Sequence, residues 1–263
     1  MTVVRQPVFD GSFYPADPVE LERIVNGYLE QVSCPSTETL PKALIVPHAG
    51  YIYSGPIAAS AYAALRDLAF TVERVVLLGP SHRFPLTGLA ATEADAFLTP
   101  LGVVPVDREA LQHVLHLDQV RLLESAHALE HSLEVQLPFL QRALDRFSLV
   151  PLAVGEATSE EVAEVLEELW GGPETLIVIS SDLSHYKAYA DARMTDRATT
   201  QLIEKRQDTI VGEQACGCHP LNGLLRLARD KGLQVQTLDL RNSGDTAGPK
   251  NQVVGYGSYA VIQ

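Results

Sequence analysis

Cysteine is scarce in this chain: Cys34, Cys216 and Cys218 are the only three among 263 residues. So sparse and odd a count argues against a disulfide scaffold. The opening MTVVRQPVFDGSFYPADP lacks a basic stretch followed by an apolar core, so a reducing, cytoplasmic setting is expected. Long hydrophobic runs are missing as well; none approaches the roughly 18 residues of a membrane helix. Cations are in deficit, with 20 Lys and Arg against 33 Asp and Glu and a formal net charge of -13. That field repels a duplex phosphate backbone and an anionic lipid surface, so neither nucleic acid nor membrane is an expected partner. There is no G-x-G-x-x-G after a strand-like run, no G-x-S-x-G elbow, and no second cysteine pair to complete a zinc ribbon. Internal repeats, low-complexity tracts and linkers are also lacking, which predicts one domain over 1–263.

What is present is an alternation of short apolar runs with longer helical patterns, the mark of an α/β sheet. Strands are expected at 43–47, 74–78, 147–154 and 175–179, with two more at 234–240 and 255–261. Helices are expected at 18–31, 132–146, 159–170, 192–206 and 220–231. A further helix opens at Pro56, where a missing N–H would have no partner anyway. Three of the strands end in a short polar turn that carries a histidine: His48, His82 and His185. In open α/β sheets, ligands bind beyond the carboxyl ends of the strands. Each histidine alone reads more readily as a hydrogen-bonded turn residue. Delivered together to one edge, they read as a site, imidazole being both the commonest metal ligand and a near-neutral titrating group.

Three other clusters bear on that site. Asp182, three residues before His185, can orient an imidazole, ligate a metal or carry a proton, or it can simply cap a helix. Cys216 precedes a helical pattern, where a helix N-terminus lowers a thiol pKa and favours ligation or redox chemistry; the alternative is a small buried apolar residue. His127-Ala-Leu-Glu130-His131 matches the inverted zinc-peptidase pattern, in which two histidines share a helix face around a glutamate base. So short a match is weak evidence. His113 and His116 are assigned no role, and the acidic run 160–168 reads as a solvated helix face.

In order along the chain stand Gly11-Ser-Phe-Tyr-Pro15, Pro47-His-Ala-Gly-Tyr-Ile-Tyr-Ser-Gly55, Leu78-Gly-Pro-Ser-His82, Glu130-His-Ser-Leu-Glu134, Ser180-Ser-Asp-Leu-Ser-His185 and Cys216-Gly-Cys-His-Pro220. This series resembles the Memo (mediator of cell motility) family, whose prokaryotic members are named AmmeMemoRadiSam system protein B. The resemblance implies a three-layer α/β fold with a central, mostly parallel or mixed sheet flanked by helices, like that of the class III extradiol dioxygenases. It implies metal ligands at His48, His82 and Cys216, with Fe(II) the first candidate ion and copper the second. It implies that Asp182 and His185 line the same pocket, His185 as general base or acid and Asp182 orienting it. Phe13, Tyr14 and Tyr53 would form an aromatic wall, and Glu130 and His131 would be pocket or supporting groups rather than a peptidase site. Cys218 is either a redox neighbour or a packing residue. The implied activity is a non-haem iron or copper oxidoreductase acting on a small organic substrate, with a radical-SAM protein as a partner. The alternative is a non-catalytic module that binds a phosphotyrosine-like or carboxylated small-molecule or peptide ligand, for which Arg83 is the one cation near the pocket motifs.

Overall fold

Side chains that are apolar at every position, not at alternate ones, demand cover on both faces of a sheet. Val75–Leu78, Leu44–Val46 and Leu176–Ile179 meet that condition and are buried throughout. Removing each such side chain from water contributes about 1.5–3 kcal/mol, so the sheet interior is secured without help from the polar turns at its edge. The computed structural model describes residues 2–33 and 40–263; Cys34 lies outside them.

In chain order the strands are β1 (Val4–Arg5), β2 (Ala43–Val46), β3 (Arg74–Pro80), β4 (Leu89–Ala91), β5 (Ala96–Thr99), β6 (Gly102–Pro105), β7 (Val120–Leu122), β8 (Ser148–Val154), β9 (Thr175–Ser180), β10 (Gln234–Asn242) and β11 (Gly255–Ile262). The helices are α1 (Pro18–Gln31), α2 (Tyr51–Tyr62), α3 (Arg108–Val114), α4 (Glu124–Ala128), α5 (His131–Glu134), α6 (Leu137–Ala143), α7 (Ser159–Glu168), α8 (Tyr189–Glu204) and α9 (Cys218–Asp230). Eight strands form the main sheet in the order β10-β11-β2-β9-β3-β8-β4-β7. Its centre, β2-β9-β3-β8, is parallel, while β4 and β11 run antiparallel to their inner neighbours. Helices α1, α2 and α6 pack together in one layer and α3, α7 and α9 in another. The fold is therefore mixed α/β with a largely parallel central sheet between helices.

Register decides where the turns emerge. Val46 lies opposite Ser180, and Leu78 opposite Ile179. The residues just past these pairs, His48, Asp182 and His82, therefore leave the sheet along one edge.

The sequence reading did not mark the short strands β1, β4, β5, β6 and β7, and two of its helices differ for reasons visible in the structure. Helix α2 begins at Tyr51, five residues before Pro56. Gly50 caps it, and the Tyr51 amide donates to the Phe13 carbonyl at 2.8 Å, so the start is set upstream. The proline then leaves only the carbonyl of exposed Ile52 without its helical donor. The helix expected at 132–146 is two short ones, α5 and α6, with Pro138 in the first turn of α6.

A second, three-stranded sheet, β1-β5-β6, carries the N-terminal segment. From β1, the buried guanidinium of Arg5 pairs with Glu134 at 2.7 Å and donates to the carbonyls of His127 and Glu130 at 3.0 and 2.9 Å. Glu134 also accepts from the Phe9 amide at 2.8 Å and the Tyr14 hydroxyl at 2.7 Å. Replacing Arg5 with Met leaves that carboxylate buried without its counter-charge, and unfolding in urea is expected to become easier by about 3–5 kcal/mol. An unchanged midpoint would show that the amides and Tyr14 satisfy Glu134 on their own.

Candidate metal centre

Three imidazoles meet at the sheet edge. His48 follows β2, His82 follows β3, and His131 opens α5; their ligand atoms all lie within 4.8 Å of one another. The rings of His82 and His131 stack with centroids 4.6 Å apart, and His48 stands nearly perpendicular to both.

Hydrogen counting fixes two of the tautomers. Ser180 Oγ lies 2.6 Å from the Ser132 carbonyl, which can only accept, so its single hydrogen goes there. His48 Nδ1, 2.9 Å from the same Oγ, must then be the donor, and its Nε2 is left with a lone pair. Gln136 completes the Ser180 hydroxyl, donating to it at 2.8 Å. His82 Nδ1 lies 2.9 Å from Glu130 Oε1, and the His82 amide lies 2.6 Å from Glu130 Oε2. Burial disfavours the Glu130 charge, but the bonds from His82 and the Ser132 amide hold its pKa down to about 2. The carboxylate therefore only accepts, so His82 Nδ1 is the donor and Nε2 is the nitrogen left to carry a lone pair when the ring is neutral. This is the arrangement by which a carboxylate or hydroxyl sets the basicity and aim of a ligating imidazole.

The charge state fits as well. Burial, with the His82 charge second, pushes the pKa of His48 well below its usual value. Burial and then His48 bring that of His131 to about 3. All three rings thus come together with uncharged His48 and His131 at neutral pH. His131 Nδ1 is buried without a hydrogen-bond partner, 3.4 Å from Glu130 Oε1. An unpaired buried nitrogen beside two lone pairs is a donor set suited to a first-row metal ion. The His48/His82/His131 cluster can hold such an ion.

Cys216 stands next to this cluster, with Sγ 3.3 Å from His48 Nε2. The lowered thiol pKa expected from the helix start is not found. Burial, then the Asp182 charge, raise it, so the neutral S–H donates to the His48 lone pair. Cys218 is buried in the core and packs there. Asp182 is buried, and its carboxylate accepts from the His48 amide at 2.8 Å instead of orienting His185. Burial raises its pKa, against that bond. His185 is half-buried on the same turn. Phe13 packs on His131 at 4.8 Å, whereas Tyr14 turns inward to Glu134. Tyr53 is half-buried on α2 beside Gly50.

The H-x-x-E-H stretch does not form a peptidase site. His127 lies in the last turn of α4, His131 begins α5, and Glu130 between them is extended. The His127 ring is buried and donates through Nε2 to the Ala90 carbonyl at 2.9 Å. Sequence reasoning did not single out Ser180, Gln136 or Arg5 as site-forming, since none carries a ligand itself.

A profile of the Memo-like protein family matches residues 5–260. A MEMO1 family protein of Aquifex aeolicus is 37% identical, covering 96% of this chain and 97% of its own. One from Sulfolobus acidocaldarius is 34% identical over 97% and 98%. The chain belongs to the Memo-like protein family. Among solved structures, the uncharacterized protein JW3007 of Escherichia coli K12 superposes with a TM-score of 0.55 at 15% identity, covering 82% of this chain and 98% of that one. That likeness speaks for the fold alone. The Memo-like segments are the ones that converge here: the turns after β2, β3 and β9, the start of α5 and the entrance to α9. Among the described residues, no helix is long and apolar enough to cross a membrane.

Two outcomes are expected. His48 and His131 are neutral in the fold but titrate near 6.5 when unfolded, so the unfolded chain binds more protons below that pH. Stability of the metal-free protein should fall as pH drops from about 6.5 toward 3, and further between about 4.5 and 2 as Glu130 protonates; a flat stability profile over pH 6.5–4.5 would refute the neutral rings. Separately, Glu130→Gln should weaken metal binding by about 10- to 100-fold with the fold retained. Equal affinity would mean that Glu130 does not aim His82.

Proposed function

We propose that this Memo-like protein is a metal-dependent oxidoreductase, dioxygenase-like in its chemistry, with Fe(II) as the first candidate ion and copper as the second. The observation that carries this reading is the convergence of three imidazoles, two of them held at Nδ1 by Ser180 and Glu130. A redox ion, when bound, would supply electron exchange that the side chains here lack. His48, His82 and His131 would hold it. Cys216 is the neighbouring soft donor once its proton is lost, which favours iron or copper over a hard-oxygen ion. A cleft of about 430 Å³ opens beside His82 and Cys216 and admits a small organic substrate. His185 is proposed as the proton-handling group, with Asp182 holding the backbone from which His48 projects.

The reading as a binder of phosphorylated or carboxylated ligands receives less support. Among the described residues no lysine or arginine lines the cleft, Arg83 included, and Glu156 does.

Metal analysis of protein purified without added metal, followed by anaerobic Fe(II) and Cu titration, tests the proposal. His48→Ala, His82→Ala and His131→Ala should each lower affinity by more than the roughly 10- to 100-fold expected of a supporting group. Cys216→Ser should abolish a sulfur-to-metal charge-transfer band, and Cys218→Ser should leave it. Undiminished affinity in the histidine variants would overturn the centre, and an unchanged band in Cys216→Ser would remove the thiolate from it.

A further inference from the structure

The cleft beside the imidazoles is lined with hydrogen-bond acceptors. Ser81 Oγ gives its one hydrogen to the Phe84 carbonyl at 2.7 Å and faces any ligand with lone pairs. His219, at the start of α9, has Nδ1 2.7 Å from the Ala157 carbonyl. A carbonyl cannot donate, so Nδ1 carries a proton, and Nε2 is the nitrogen left to accept when the ring is neutral. Glu156 adds a carboxylate that makes no ion pair or side-chain hydrogen bond among the described residues. Its backbone is held on both sides, donating to the Leu86 carbonyl and accepting from the Gly88 amide, each at 2.8 Å. The residue is exposed at the rim of the cleft, on a backbone that is held.

The rest of the lining suits the same kind of guest. Phe84 brings an aromatic side chain to the lining, and Leu86 and Val154 supply apolar wall for a short alkyl chain. No cation competes from the lining. Arg121, which reaches this segment, donates to the Thr87 carbonyl. Acceptors, one free carboxylate and an aromatic side chain together select a charged N–H donor.

We propose that this cleft binds a small organic cation, a primary ammonium or guanidinium on a short alkyl chain, with the charged head at Glu156 and His219. This names a substrate class for the metal centre and rests on reading the cleft as its substrate side. The test is calorimetric titration of metal-free and Fe(II)-loaded protein with agmatine and butylamine, and with butyrate and inorganic phosphate as anionic controls. Agmatine should bind and the anions should not, with binding weakened by added salt. Glu156→Gln should cost about tenfold or more, the loss of one charge-assisted contact. His219→Asn, which keeps the donor to Ala157 and removes Nε2, should weaken binding by less. His48→Ala should lose Fe(II) yet still bind agmatine, so failure of the metal reading and failure of the cation site are told apart. Absence of amine binding at millimolar concentration in folded wild-type protein, equal binding of butyrate, or unchanged affinity in Glu156→Gln would overturn the proposal.

Discussion

The site depends on one carboxylate. Glu130 receives the backbone amide and the ring of His82, and the amide of Ser132, all within 3 Å. These bonds do two things together. They tie the turn after β3 to the start of α5, so two of the three imidazoles share one anchor. They also keep the carboxylate ionised in a buried place, which in turn fixes which nitrogen of His82 carries the proton. Without such a partner, a half-exposed imidazole would be free to rotate, and its stacking on His131 would be incidental. Ser180 plays the corresponding part for His48, with a neutral hydroxyl in place of a charge.

A second layer of restraint keeps Glu130 itself in place. Arg5 enters from the small sheet and binds the carbonyls of His127 and of Glu130, the extended residue between α4 and α5, as well as the carboxylate of Glu134. Its guanidinium lies 5.0 Å over the Phe97 ring. The N-terminal segment, whose Phe9 and Phe13 rest on His131, is thereby part of the site rather than a loose leader to the fold. Close approach reinforces this. A Cβ on Gly79 would lie 2.7 Å from Ser132 Oγ, and one on Gly217 would lie 2.8 Å from the Ser180 carbonyl. Backbone at these two points therefore fits closely against the elements that aim the histidines.

Much of this was legible in the sequence, for a physical reason. Buried parallel strands must be apolar at every position, so β2, β3, β8 and β9 stood out as runs, and the polar residues after them had to fall at one edge. His48, His82 and Asp182 were found in that way. His131 was harder to place as a third ring. It reaches the cluster from a short helix after an extended residue, and the H-x-x-E-H spacing reads equally as one continuous helix. The break at Glu130 comes from the tertiary hold of Arg5 and His82, which local propensity does not encode. The thiol of Cys216 was misjudged for a related reason: its place near a helix start is visible in the sequence, whereas its burial beside the Asp182 charge is not. Ser180, Gln136 and Arg5 carry no recognisable chemistry on their own and gain a role only from what they touch.

The hydroxyl that sets His48 belongs to a residue 132 positions further along the chain, and the thiol that meets the same ring lies 168 positions away. A nascent chain emerging from the ribosome therefore delivers all three imidazoles well before it delivers the groups that aim the first of them. Until β9 takes its place between β2 and β3, His48 lacks the hydroxyl that sets its ring. Completion of the parallel centre of the sheet and the aiming of His48 are therefore one structural event.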